Sequence, residues 1–169
     1  MKRRYLTVIL TASAIMTVTG NQALAAEGSY VPGLGEFMSA QQMRHSKLWF
    51  AGQAQNWPLA AYELDEIKEG FGNIVKYHPV HEGAPIPIKN ILPDLTNGPL
   101  ALLQTAVASE KLEKFDRAFD SLTKACNECH RAEKFGFNVI TRPKANPYTN
   151  QDFLPAHLIQ PSRDQKTGK

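Results

Sequence analysis

Apolar residues recur at every third or fourth position along one stretch in the second half of the chain. On an α-helix this spacing puts side chains on one face, where they can pack against a core. The residues in this pattern are Leu112, Phe115, Phe119, Leu122, Cys126 and Cys129. The pattern predicts an amphipathic helix, with both cysteines on the side that faces the core.

A second amphipathic pattern follows Asn56. The Asn56 side chain can cap a helix, and Pro58 stands in the first turn, where a missing N–H costs nothing. Charged residues, among them Glu63, are assigned to the solvent side, and the helix is expected to end before Pro79. The predicted buried face consists of Ala60, Leu64, Ile67, Phe71 and Ile74.

Two more helices are predicted from composition and from turn residues. Residues 37 to about 55 contain no proline and are rich in Gln, Met, Leu and Ala, which favours a helix. Asn97-Gly98-Pro99 is interpreted as the start of a third helix that ends near Ser109. Residues 78–97 carry four prolines and are interpreted as a long crossing loop.

The helical patterns together predict an all-α fold, because no stretch alternates apolar and polar residues as a strand does. Four helices with a long connection between the second and the third are typical of an antiparallel four-helix bundle, whose core often holds a cofactor. The bundle is assigned to residues 37–135, after a lead-in at 26–36. Residues 136–169 carry repeated Pro and Asn without a helical period and are expected to form an irregular C-terminal tail.

The N-terminal segment has the organisation of a signal peptide. Lys2, Arg3 and Arg4 form a positive start, residues 5–18 are mostly apolar, and Ala23-Leu24-Ala25 supplies small residues for cleavage. The apolar part is shorter than a membrane span, which needs about 20 residues. We therefore expect cleavage of residues 1–25 and export to the periplasm.

The net charge of the chain depends on that cleavage. The full sequence has 19 basic and 16 acidic residues, a formal charge of +3. Three basic residues leave with the signal peptide and no acidic residue does, so the remaining chain is formally neutral. A neutral chain lacks the basic footprint of nucleic-acid binding, and we expect no nucleic-acid partner.

The only two cysteines of the chain stand in one motif, Cys126-Asn127-Glu128-Cys129-His130. This is the attachment signature of c-type haem. Two thiols three positions apart on a helix can each add to a vinyl group of one porphyrin, and the adjacent histidine then reaches the iron as an axial ligand. The motif predicts one covalent haem c, with Cys126 and Cys129 as its anchors and His130 as ligand to the metal.

Three other interpretations of the cysteines are open. A redox dithiol is one, although it is expected in a βαβ context that this chain lacks. A zinc site completed by His78 and His81 is the second, and a pair of ordinary core residues is the third. The sequence holds no nucleophile elbow, phosphate loop or paired-carboxylate motif, so we predict that the protein is not an enzyme.

An exported four-helix pattern with Cys-x-x-Cys-His near the end of the last helix resembles the cytochrome c prime superfamily, over roughly residues 37–135. Lys134 stands four places after the haem histidine, where family members often have a basic residue. Arg44 and, four positions later, Leu48 are similar to a pattern on the family's first helix, which implies that Leu48 covers the distal side of the haem. The resemblance also implies a homodimer formed through the first two helices. The long tail departs from the family, whose members usually end soon after the haem helix.

The residue on the other side of the iron decides the function. If Met or His coordinates, the protein suits electron transfer, and Met38, Met43 and His45 on the first helix are candidate sixth ligands. If only Leu48 faces the iron, with Arg44 in the distal pocket, the site is open to small gases such as NO or CO. We expect an electron carrier that serves periplasmic redox proteins, with gas binding as the alternative, and the sequence leaves the sixth ligand open.

Overall fold

The computed structural model describes residues 30–159, so the predicted signal peptide at 1–25 and the last ten residues of the chain lie outside the described residues. The predicted all-helical fold with four helices is confirmed, and residues 30–159 contain no strand. None of the helices within this range is both long and apolar enough to cross a bilayer. The elements are α1 (Leu34–Gln53), α2 (Trp57–Tyr77), α3 (Ile88–Ala108), α4 (Leu112–Ala132) and a 3₁₀ turn (Ala156–Leu158).

The starts of the first two helices follow local side-chain chemistry. The Glu36 carboxylate accepts a hydrogen bond of 2.8 Å from the Gly33 N–H, which satisfies one of the donors left over at the start of α1. Asn56 caps α2 as predicted, since its Oδ1 accepts from the Leu59 N–H at 3.3 Å. Pro58 occupies the first turn of α2. These caps set where α1 and α2 begin and hence which of their residues face each other.

The start of α3 contradicts the sequence interpretation, because the helix begins at Ile88 and not at Asn97. The loop is confined to residues 78–87, and Pro93 and Pro99 lie inside the helix. A proline in a helix interior costs about 3 kcal/mol, since it lacks an N–H and crowds the preceding turn. Burying an Ile or Leu side chain contributes about 1.5–3 kcal/mol, and three such side chains lie on the buried face of the first turns of α3: Ile88, Ile91 and Leu92. Together their burial contributes about 4.5–9 kcal/mol, which is of the same size as the cost of about 6 kcal/mol for two prolines.

Consecutive helices pack on each other, and α4 also touches α1, an arrangement consistent with a four-helix bundle. The main core is centred on Phe115 and Phe119 of α4, both fully buried. Gly52 of α1 lets Phe115 approach closely, because a Cβ at that position would overlap the Phe115 ring. A smaller cluster around Ile74 and Leu92 joins the end of α2 to the beginning of α3.

Glu63 corrects the expected solvent face of α2. The sequence places it among the exposed charges, but the residue is only 3% exposed. Burial raises the pKa of its carboxyl, and the positive charges of Lys47 and Arg44 counteract part of that effect while Glu66 adds to it. The helix α2 thus buries one acid on its side toward α1.

The described part of the C-terminal tail is anchored to the helices at several points. Arg142 donates to both carboxylate oxygens of Asp120 on α4, at 2.6 and 2.7 Å. Further along, Phe153 is 6% exposed and lies 5.5 Å from the Phe50 ring, centroid to centroid. The Asn56 side chain that caps α2 also donates to the Phe153 carbonyl at 3.2 Å. Apart from the 3₁₀ turn, the described tail is irregular in conformation, yet it contributes to the core.

Candidate functional site

A cavity of about 190 Å³ lies between the four helices and the beginning of the tail. A single buried water needs only about 10–15 Å³ by the same kind of measure. The cavity is open to the surface on one side, because Gly35, Ser39, Gln42 and Asn138 line it and are exposed. Its walls are mostly apolar side chains contributed by α2, α3 and α4, namely Ile67, Phe71, Leu92 and Leu122. The chemically distinctive residues around it are Met38 and His45 from α1, with Cys126, Cys129 and His130 from α4.

The two cysteines line this cavity as unpaired thiols. Burial raises the pKa of Cys126 to about 12, with a further contribution from Cys129. Burial likewise raises the pKa of Cys129 to about 11, and the negative charge of Glu133 adds to the effect. A reactive dithiol needs a thiolate, which is favoured by a lowered pKa, and these two environments favour the neutral thiol. The redox-dithiol interpretation therefore has no electrostatic support.

The zinc interpretation requires His78 and His81 to join the two cysteines. Neither histidine lines the cavity: the His78 Nε2 is bonded to the Pro32 carbonyl at 2.8 Å, and the His81 ring packs against Phe135. Within residues 30–159, no three His, Cys, Asp or Glu side chains are grouped so that they could hold a metal ion. The structure does not bring the donors of a four-ligand zinc site together.

His130 contacts both the cavity and the tail. The residue lines the cavity beside the cysteines, as expected for the last position of the motif. Its Nδ1 is hydrogen-bonded to the backbone carbonyl of Asn138 at 2.6 Å. Two residues further on, Ile140 also lines the cavity. The tail therefore closes the cavity on the side of His130.

His45 faces the cavity from α1 and is only 5% exposed. Its Nε2 lies 2.9 Å from the Thr123 hydroxyl, whose single hydrogen is donated to the Phe119 carbonyl. The hydroxyl oxygen must then accept, so the Nε2 of His45 carries a hydrogen and Nδ1 keeps the lone pair. Burial lowers the pKa of His45 to about 4, which keeps the ring neutral at physiological pH.

The other residues predicted as site residues on the first helix lie in different environments. Met38 lines the cavity, whereas Met43, Arg44 and Leu48 do not. Met43 is 41% exposed, and its carbonyl accepts a hydrogen bond from the Tyr148 hydroxyl. Arg44 forms an ion pair of 2.9 Å with Glu66 of α2. Leu48 is fully buried in the main core, and the exposed Lys134 follows the end of α4.

Gln41 is a cavity residue that the sequence analysis missed. It is 7% exposed, and neither its Nε2 nor its Oε1 has a hydrogen-bond partner among the described residues. An unsatisfied buried polar group costs about 1–3 kcal/mol. Gly70 on α2 makes room for this amide, since a Cβ there would overlap Gln41 Nε2. Gln41 stands three residues after Met38 and four before His45, a spacing that places all three side chains on the same helix face.

In comparisons with known proteins, no family model, curated protein or solved structure matches this chain. A functional assignment therefore rests on the cavity and on the residues around it.

Proposed function

We propose that this protein is a periplasmic monohaem c-type cytochrome that carries electrons. One observation supports this more than any other: Cys126, Cys129 and His130 line the same cavity, and His45 lines it from α1. In this proposal the cysteines form thioethers to one haem c, and His130 is an axial ligand of its iron. The bundle is antiparallel and belongs with the cytochrome c prime type of fold.

The residues around the cavity suit a haem in their chemistry. Each thiol would add across a vinyl double bond, its sulfur to one carbon and its hydrogen to the other, so the attachment consumes no oxidant or reductant. The mostly apolar walls suit a porphyrin, whose faces are apolar. The unpartnered amide of Gln41 supplies donors and an acceptor for a polar group of a bound molecule.

The size of the cavity adds a condition. At about 190 Å³ it is smaller than most ligand pockets, which enclose about 300–1,000 Å³. Haem binding therefore requires side chains to move outward. Because α1 and α4 contact each other less than consecutive helices do, the space between these two helices is where such movement would widen the cavity. Gln41, also on α1, has no polar contact to lose.

The choice of electron transfer over gas binding follows from which residues of α1 reach the cavity. Met38 and His45 line it, whereas Leu48 lies in the main core. When bound, the haem supplies one-electron redox chemistry, which suits an iron with protein ligands on both sides. His45 offers a neutral ring whose Nδ1 has a free lone pair, and Met38 offers a thioether. Either one as the sixth ligand favours a carrier that exchanges electrons with periplasmic redox proteins.

The test is an absorption spectrum of the protein, oxidised, then reduced, then exposed to CO, after expression with a haem-maturation system. A sharp α band that is insensitive to CO supports the electron carrier. A broad, high-spin spectrum that shifts with CO would replace it with the gas-binding alternative. A colourless protein would overturn the haem proposal altogether.

A further inference from the structure

The hydrogen bond between His130 and the tail determines which ring nitrogen of His130 carries the hydrogen. Nδ1 lies 2.6 Å from the Asn138 carbonyl oxygen. A carbonyl oxygen can only accept, so Nδ1 must donate. In the neutral imidazole Nε2 then keeps its lone pair. This is the tautomer that a histidine needs in order to bind a metal through Nε2.

The tail segment that provides this carbonyl is attached to the motif itself. Asn127, the first variable residue of Cys-x-x-Cys-His, donates from Nδ2 to the Ile140 carbonyl at 2.8 Å. Its Oδ1 accepts from the Ile140 N–H, also at 2.8 Å. Because the two bonds run in opposite directions to the N–H and the C=O of Ile140, they hold the backbone of this residue in one register against α4. That register places the Asn138 carbonyl, two residues earlier, against His130.

We propose that the tail is a positioning device for the proximal ligand, in which the Asn138 carbonyl and the Asn127 side chain orient His130. The inference rests on the proposed haem function. A hydrogen bond from the second ring nitrogen fixes the tautomer and the orientation of a ligating histidine and makes it more basic. A more basic ligand stabilises ferric iron over ferrous iron, so the tail lowers the reduction potential.

This role is separate from merely covering α4. Arg142 already anchors the same segment to α4 through two bonds to Asp120, and Phe153 anchors the tail in the core. Neither anchor touches the ring of His130. The contacts of Asn127 and Asn138 are the ones that reach the motif.

The first experiment uses the haem-loaded protein and compares Asn127→Ala with Glu128→Asp, which keeps the charge beside the motif. Glu128 is the other variable residue of the motif, and within residues 30–159 its carboxylate forms a long ion pair of 3.7 Å with Lys124. We expect the reduction potential of Asn127→Ala to shift to a more positive value and that of Glu128→Asp to stay near the original. Equal potentials in the two variants, shifted or not, would overturn the inference.

The second experiment uses the haem-free chain, so that it remains informative if Asn127→Ala takes up no haem. Nitrogen-15 NMR of the histidine side chains at alkaline pH identifies which ring nitrogen carries the hydrogen, and the His130→Gln variant assigns the signals. We expect His130 to carry its hydrogen on Nδ1 in the unchanged chain. Hydrogen on Nε2 would overturn the inference. If the unchanged chain takes up no haem but shows hydrogen on Nδ1, the haem proposal fails while the tail contact stands.

Discussion

The two walls of the cavity that face each other are built in different ways. On α4 the chemistry is contiguous in sequence, from Cys126 to His130, and both Asn127 and His130 are bonded to the tail. On α1 the corresponding residues are spread over two turns, and they include Gln41, whose amide has no partner. The α4 wall is thus tied to the tail, whereas the α1 wall is tied to α4 through the bond of His45 to Thr123 and leaves the Gln41 amide unpartnered. Under the proposed function, the α4 wall would attach the haem, and the α1 wall would provide or withhold the second protein ligand of its iron.

The largest effect is expected from breaking the α4 wall. Replacing Cys126 and Cys129 together with alanine removes the two thiols that the proposed function assigns to thioethers, so no haem is expected to stay covalently bound. Acid–acetone extraction followed by absorption spectroscopy measures this loss, and Glu128→Ala serves as the control that keeps its haem. Haem that stays with the double variant after extraction would contradict covalent attachment at these two residues.

A change in spin state is expected from altering the α1 wall. His45→Ala removes the histidine that lines the cavity from α1, so if His45 is the sixth ligand a low-spin spectrum becomes high-spin and responsive to CO. Met38→Leu is the matched control on the same helix and leaves the spectrum unchanged if His45 is the sixth ligand. If instead Met38→Leu changes the spectrum and His45→Ala does not, Met38 is the ligand.

A smaller effect on stability is expected at Gln41. In the haem-free protein, Gln41→Leu removes an unpartnered buried amide and raises the free energy of unfolding by about 1–3 kcal/mol. The exposed neighbour provides the comparison, since Gln42→Leu changes it by no more than about 0.5 kcal/mol. Urea unfolding of both variants measures the difference. A loss of stability in Gln41→Leu would show that the amide has a partner in solution.

The smallest effect is expected from Glu63, which is buried on the side of α2 toward α1. A carboxyl whose pKa is raised by folding stabilises the native state at low pH, and that contribution is lost as the pH rises through its ordinary value of 4.5 and then through the folded pKa. Glu63→Gln therefore raises the free energy of unfolding at neutral pH by less than about 1 kcal/mol, which is measured as a higher melting temperature. The gain disappears in acid below pH 4.5. Glu69→Gln, at an exposed position of α2, serves as the control; an equal gain there would contradict the role of burial.

The positions of residues close together in the chain were predictable from the sequence where helical spacing alone determines which face they occupy. The apolar seam of α4, the motif at its end and the cap at Asn56 follow from contacts within a few turns. The beginning of α3 did not follow, because Pro93 and Pro99 favour a loop locally and only packing against Ile74 reveals the gain from burying Ile88 and Leu92. Glu63 was misplaced for the same reason, since its burial depends on α1.

Helical spacing was sufficient to predict an all-helical fold with Cys126 and Cys129 on its core-facing side, because a helix has a fixed period. Which α1 residues reach the cavity depends on the packing angle between helices, since Met38, Met43, His45 and Leu48 all lie within three turns. The tautomers of His45 and His130 also depend on tertiary contacts, because the hydrogen-bond partners of the two rings lie 78 and 8 residues away in the chain. Spacing along one helix predicts which of its residues share a face. The chemistry of the site also depends on residues from other segments, which only tertiary packing brings next to that face.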